Sequence, residues 1–385
     1  MKKQLLVTTA LVTVGAFALS GAALAKKPVL SVGGFTQQIF GVGANDDAFD
    51  NANGARSGFD QHSNSEVHFN GSVTLDNGIK IKSRTSLEGN TVDPDNAAGQ
   101  DGDTIDENWV RISGSFGEVR LGSTDAAAQA MTTGYLGTWG AGVGLNLAFD
   151  TADWVTPPGG GGAAGLGFRA STVARVDISS DAEQVSYYTP RFSGFQAGIS
   201  YVPSAQEDVN NQRSLSAAAD SDIVSLGLNF DRKFGDIGVG LAVGYTTGDD
   251  STVGAGDPEI WGIGGRVDFS GFRVGMSFVD KKNQDTAAGG IAGNGQETFE
   301  IGARYTFGPN AVSIQHLAGE TDSPLAGRNG DEVRSTFLAY RRTLGPGVSW
   351  NLTAIFADFD EGLAGAAGGT SNDGQALATS ITVVF

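Results

Sequence analysis

The sequence predicts an all-β fold, a transmembrane antiparallel up-and-down β-barrel of 16 strands, with 18 as the alternative and a long third loop. Three observations predict it. Segments of about ten residues carry apolar side chains at every second position, the period at which a strand presents one face. The connectors between them alternate between short and long. Aromatic residues gather near the segment ends, as girdles at two lipid–water interfaces require.

The chain opens with "MKKQLLVTTALVTVGAFALSGAALA", two lysines, an apolar run and a small-residue ending at Ala23-Leu24-Ala25. This is the pattern of a bacterial secretory signal peptide cleaved after Ala25. One barrel domain, residues 26–385, follows without a visible boundary. Its first strand is "VLSVGGFTQQIFGVG" (29–43). In "SEVHFNGSVTL" (65–75), Val67, Phe69, Val73 and Leu75 share one face. Asp76-Asn77-Gly78 then signals a three-residue hairpin turn. In "NGIKIKSRTSLEG" (77–89), Ile79, Ile81 and Leu87 oppose Lys80, Lys82 and Arg84. The turn sets Val73 against Ile81, Ser72 against Lys82 and Asn70 against Arg84, so both strands agree on the greasy face.

The same alternation recurs at 236–245, 272–279, 298–307 and 348–357. Tight connectors fall at 76–78, 114–117, 190–194, 231–236, 270–271, 308–310 and 345–347. Long ones fall near 43–64, 89–106, 123–183, 202–221, 246–258, 280–296, 319–331 and 358–374. Within the third, "DAAAQAM" (125–131) suits a helical turn, and "VGLNLAFD" (143–150) alternates like a strand, the source of the 18-strand alternative. The last strand, "LATSITVVF", puts Leu377, Thr379, Ile381, Val383 and Phe385 on one face and closes the barrel beside the first.

A soluble sandwich also alternates, with its polar face in bulk water. Here the cations lie mid-strand, opposite apolar residues, and the long loops share one end. In lipid every backbone N–H needs a partner, so the sheet closes on itself. Ile79, Ile81 and Leu87 then meet lipid, and Lys80, Lys82 and Arg84 meet water in a lumen.

Acids outnumber bases 43 to 25, giving a formal charge of −18. That balance excludes nucleic acid as a partner. There is no cysteine, so disulfides contribute nothing to the exported fold. The 58 glycines suit many turns and a tightly packed sheet.

"ISGSFGEVRLGSTDAA" (112–127), "VSYYTPRFSGFQAGISY" (185–201), the signal peptide and the terminal Phe together resemble the general porins of Gram-negative outer membranes, in particular their alphaproteobacterial branch. The resemblance spans the mature chain. It implies a 16-stranded barrel in the bacterial outer membrane, usually a homotrimer among lipid and lipopolysaccharide. Such a barrel passes small hydrophilic solutes and ions by passive diffusion. The resemblance also implies that the terminal aromatic, Phe385, is read by the barrel assembly machinery, and that the long third loop is folded into the lumen, where its acids face a basic wall. By parity that wall is Lys80, Lys82, Arg84, Arg111 and Arg120. The candidate acids are Asp125, Asp150 and Asp153. Opposed charges across a low-dielectric constriction orient water and polar solutes and disfavour apolar ones. The strand cations favour anions locally, while the overall acidity tips the expected preference toward cations. Trp109 falls on lumen parity, either beneath the third loop or displaced by a bulge.

A substrate-specific channel for a sugar or an anion is the alternative, resting on Trp109, Trp139 and Trp154 as stacking surfaces. An exported adhesin or sandwich is a further one. The chain is not expected to be an enzyme, since His62, His68 and His316 form no nucleophile–base arrangement. No cofactor is expected. The loop "VDPDNAAGQDGDTIDE" (92–107) could at most hold Ca²⁺, without the calcium-hand spacing. "PPGGGGAAGLG" (157–167) lacks the Lys-Ser/Thr ending of a phosphate loop.

Overall fold

The computed structural model describes residues 27–54, 58–89, 105–136, 141–143, 145, 147–158, 174–206, 220–250, 256–286, 291–321, 330–362 and 371–385. The signal peptide, Trp139, and most of 92–107 and 157–167 lie outside them.

The order is β1 (Val29–Ala44), α1 (Asp47–Asn53), β2 (Phe59–Thr74), β3 (Lys80–Glu88), β4 (Asn108–Gly114), β5 (Gly117–Ser123), α2 (Ala127–Thr132), α3 (Leu147–Trp154), β6 (Glu183–Tyr188) and β7 (Phe195–Ser204). Then come β8 (Ser221–Phe234), β9 (Ile237–Asp249), β10 (Glu259–Phe269), β11 (Phe272–Thr286), β12 (Ile291–Phe307), β13 (Asn310–Thr321), β14 (Glu332–Gly345), β15 (Val348–Asp360) and β16 (Ser371–Val384). Every neighbour pair is antiparallel, and β1 pairs with β16 to close the barrel.

The first hairpin has the expected register: Val73 faces Ile81, Ser72 faces Lys82 and Asn70 faces Arg84. At the seam, Gly34 and Phe385 exchange backbone hydrogen bonds of 3.0 Å each. A closed sheet leaves no edge in hydrocarbon. The outward parity carries exposed Leu241, Ile263, Val274, Met276, Ile314 and Leu338. At the short-turn end, outward aromatics stack in a girdle, with centroid separations of 4.7 Å for Phe195–Phe230, 4.3 Å for Phe272–Tyr305 and 5.5 Å for Tyr305–Phe307.

Three boundaries differ from expectation. β2 begins at Phe59, six residues before the alternation becomes apolar, because β1 is long enough to pair its backbone. The expected loop at 280–296 is mostly strand, β11 and β12 pairing as far as Thr286 and Ile291 with register shifts after Lys281. Beyond the bilayer, backbone pairing continues without lipid to impose alternation. Residues 147–154 form α3 instead of a wall strand, so the count is 16 among the described residues.

The apolar core lies inside the barrel, between the wall and the third loop (124–182). Leu136 and Val176 of the loop pack with Ile260 and Val279 of the wall. Trp154 and Val155 pack with Leu317, Phe337 and Ile355. Inward glycines make this contact close. A Cβ on Gly262 would meet Val176 at 2.6 Å, and one on Gly240 would meet the Tyr135 ring at 2.7 Å. Much of the glycine excess on the inner face is therefore room for the loop, a use of Gly that its missing side chain permits.

Candidate functional site: the pore constriction

The loop is bonded to the wall from β7 round to β16. Ala126, which precedes α2, gives no side-chain cap. The wall supplies it instead: the amides of Ala127 and Ala128 donate to Ser200 and Ser225 Oγ, each at 2.8 Å. Hydroxyls there satisfy helix amides that would otherwise be orphaned. Further round, the Val143 amide donates to Ser313 Oγ (3.1 Å), Thr151 and Ser335 hydroxyls bond (3.0 Å), and Asn372 Nδ2 donates to the Thr156 carbonyl (2.7 Å). Among the described residues, the loop thus lines β7–β16, reaches β2 through the contact of Trp154 with His62, and leaves the inner face of β3–β5 bare.

That bare face is the predicted basic wall. Lys82, Arg111 and Arg120 stand in one cross-strand row, and Arg84 is paired with Trp109 in the next. Trp109 keeps lumen parity with no bulge. Its indole lies between two guanidinium groups, 3.9 Å from Arg111 and 5.6 Å from Arg84. It is 5% exposed, and the two guanidinium groups attract its ring by cation–π interaction. Arg120 lies over the Tyr188 ring at 4.4 Å.

Two of these cations have carboxylate partners: Arg84 with Glu107 at 3.3 Å and Arg120 with Glu118 at 2.6 Å. Thr124 Oγ1 donates to the other Glu107 oxygen at 2.7 Å. Among the described residues, Lys80, Lys82 and Arg111 have no carboxylate at ion-pair distance. Lys80 and Lys82 are exposed to the bore.

The predicted acids are distributed differently from one another. Asp125 sits where the wall passes into α2, 3.7 Å from Arg175, which also reaches Asp177 at 3.5 Å. Protein crowds it, yet 37% of its side chain faces water. Burial, then the charge of Asp177, pushes its carboxyl up to about 6. Asp181 is pushed up to about 9 by burial and by Asp125, Asp106 and Glu107. Asp153 is exposed near the end of α3, close to β1 rather than beside Asp125. Asp150 lies in α3, and its side chain is outside the described residues. Two acids on the wall itself, Glu107 and Glu118, were missed. Glu118 alternates with Arg120 and shares its lumen parity, a signal present in the sequence.

A second inward basic group was missed as well: Arg266 on β10, Arg273 on β11, Arg304 on β12 and Arg341 on β14, near the short turns. Arg273 and Arg304 already stood on the polar parity of their segments. Arg266 ties the loop down, donating to the Gly134 carbonyl at 2.7 Å and to Asp231 at 2.7 Å. The histidines are dispersed. His62 lies in β2 instead of a loop and meets the Trp154 ring at 4.9 Å, His68 bonds Glu66 at 2.7 Å, and His316 bonds Thr336 at 2.9 Å on the outward face.

Comparison with known proteins gives a consistent picture. The sequence model of the Gram-negative porins matches residues 8–362. Outer membrane porin protein 32 of Delftia acidovorans is 30% identical over 311 residues, which cover 79% of this chain and 67% of that protein. The anion-selective porin from Comamonas acidovorans superposes with a TM-score of 0.61 at 18% identity, over 93% of this chain and 100% of that one. OmpT of Vibrio cholerae, in its trimer form, gives 0.59 at 10% identity, over 94% and 100%.

Proposed function

The chain belongs to the Gram-negative porin family, and from that premise we infer that its narrowed bore prefers small anionic solutes. It is an outer-membrane channel for passive diffusion of small hydrophilic solutes and ions. The proposal concerns how it sorts them. Solutes pass between the third loop and the basic wall, where Lys80, Lys82, Arg84, Arg111 and Arg120 act on the cross-section. The single observation that carries the preference is that, among the described residues, Lys80, Lys82 and Arg111 have no carboxylate at ion-pair distance, whereas Asp125 lies beside Arg175. Fixed cations in a low-dielectric neck raise the local anion concentration. This reverses the cation preference expected from net charge, because external acids are screened within about 10 Å while charges in the neck are not. The Comamonas relative is described as anion-selective, which agrees. Reversal potential in a salt gradient across a planar bilayer tests the reading. A potential of the anion-preferring sign supports it, and the opposite sign overturns it.

A sugar-specific channel is less well supported. Trp109 is sandwiched between arginines and Trp154 is 7% exposed, so neither offers an open stacking face. No catalytic role is proposed for any residue.

The same side of the barrel supports a homotrimer. β4 and β5 have 7 residues each. At roughly 3.4 Å per residue and a tilt near 45°, such strands reach about 17 Å, short of the about 25 Å apolar band. Outward polar pairs also lie there: Gln61 to Gln38, Thr85 to Asn108 and Ser123 to Glu183, each 3.3 Å and exposed. Such a face suits protein better than lipid. Lipopolysaccharide on the remaining circumference and recognition of Phe385 by the assembly machinery complete the proposal.

A further inference from the structure

We propose that the recess beneath the third loop, at the short-turn mouth of the bore, is a binding station for a small solute bearing a carboxylate or a phosphate. It lies on β8–β12, on the side of the barrel opposite the basic wall, and nothing in the selectivity argument uses it. The recess measures about 440 Å³, a volume in the range of small-molecule sites. Asp231, Lys233, Arg266, Asp268, Arg273 and Arg304 line it.

The charges there do not balance, since with Asp236 three aspartates stand against Lys233 and three arginines. Asp268, Arg273 and Arg304 stand in one cross-strand row. Asp268 accepts from Arg273 at 2.5 Å and lies 3.5 Å from Arg266, which also bonds Asp231 at 2.7 Å. Asp231 and Asp268 are thereby taken up by Arg266 and Arg273. Arg304 has no carboxylate at ion-pair distance among the described residues, and its Nε is buried without a partner. It also sits directly opposite Arg273, a like-charge placement that destabilises a sheet. An oxyanion between the two guanidinium groups would relieve both. Their planar forks match the two-oxygen face shared by carboxylates and phosphates. Two lining residues are held by the loop: Tyr135 donates to Asp231 at 3.0 Å, and Arg266 lies 4.5 Å over the Tyr135 ring. A solute leaving the neck toward the periplasm would meet this recess next.

The inference rests on the bore being a water-filled channel, and the test separates the two. Wild type, Arg304→Gln and Arg342→Gln are compared in planar bilayers, with succinate or inorganic phosphate titrated against the chloride current. Arg342→Gln removes the same charge from an exposed residue on outward parity. Both anions are expected to block the wild-type current. Arg304→Gln should weaken the block roughly tenfold or more, as loss of a charged hydrogen-bonding partner predicts, and Arg342→Gln should leave it unchanged. Block by succinate alone or phosphate alone, lost in Arg304→Gln, assigns the ligand to that oxyanion. If Arg304→Gln fails to give heat-modifiable protein, Arg304→Lys replaces it, keeping charge but losing the fork, and should also weaken the block. A conducting wild type that neither anion blocks, or equal block in the Arg304 variant, overturns the station while leaving the channel intact. A wild type that does not conduct defeats the channel reading itself.

Discussion

Lys82 and Arg111 stand directly opposite each other on β3 and β4, and among the described residues neither has a carboxylate at ion-pair distance. Two like charges across a ladder cost stability, and the proposed selectivity gives their juxtaposition a use. Replacing both with Gln should lower the anion-to-cation permeability ratio about two- to fivefold, a modest part of the range over which focused fields act. Reversal potentials in a salt gradient measure this, and an unchanged ratio would remove these residues from the selectivity account.

Gly262 offers a test of how the loop is seated. Its missing side chain leaves room for Val176 and Leu136, which a Cβ would meet at 2.6 Å and 3.1 Å. Gly262→Leu should cost about 1–3 kcal/mol through overpacking. The loop should lift from the wall, so single-channel conductance changes and protease cuts within 124–182 before the barrel melts. A loop as resistant as wild type would mean the contact does not hold it.

Asp125 should make selectivity depend on pH. With its carboxyl pushed up to about 6, it is charged at pH 7 and neutral at pH 5. Anion preference should therefore rise as pH falls through about 6, and Asp125→Asn should flatten that part of the profile. The folded state binds this proton more tightly than the unfolded chain does. Its contribution to stability thus improves as pH falls from above 6 toward the ordinary value of 3.8. Asp181, pushed up to about 9, is already protonated across this window.

On the outward face, Glu320 is paired with Glu297 on one side and Glu332 on the other. Carboxylates directly opposite one another repel. Glu320→Gln should raise stability by roughly 0.2–1 kcal/mol, with the gain shrinking as salt screens the row. Thermal unfolding of the detergent-solubilised barrel at low and high salt would detect it.

The wall was legible because lipid enforces a strict period. Parity alone placed Lys80, Lys82, Arg84, Arg111 and Arg120 on the inner face, and the three-residue turn fixed the Val73–Ile81 register. Phe385 at the seam followed from the last strand's pattern and its place beside β1. The loop was legible only in part: the helical turn expected at 125–131 is α2, at 127–132. "VGLNLAFD" alternates, yet its contacts are with the inner wall, where no lipid imposes a strand and residues 147–154 coil into α3. The glycines at 240, 244 and 262 read as turn or packing residues, because their partners, Tyr135, Ala128 and Val176, lie far off in sequence. The proposed anion preference departs from the cation preference that net charge suggests, because it weighs the pairing of charges in the neck over their number.

The central claim is a closed tube with a wet bore, and conductance of the purified, heat-modifiable protein in a planar bilayer tests it most directly. The account predicts discrete open steps, arriving in threes if the polar face of β2–β5 is a trimer contact. Folded protein that inserts yet carries no current would contradict it.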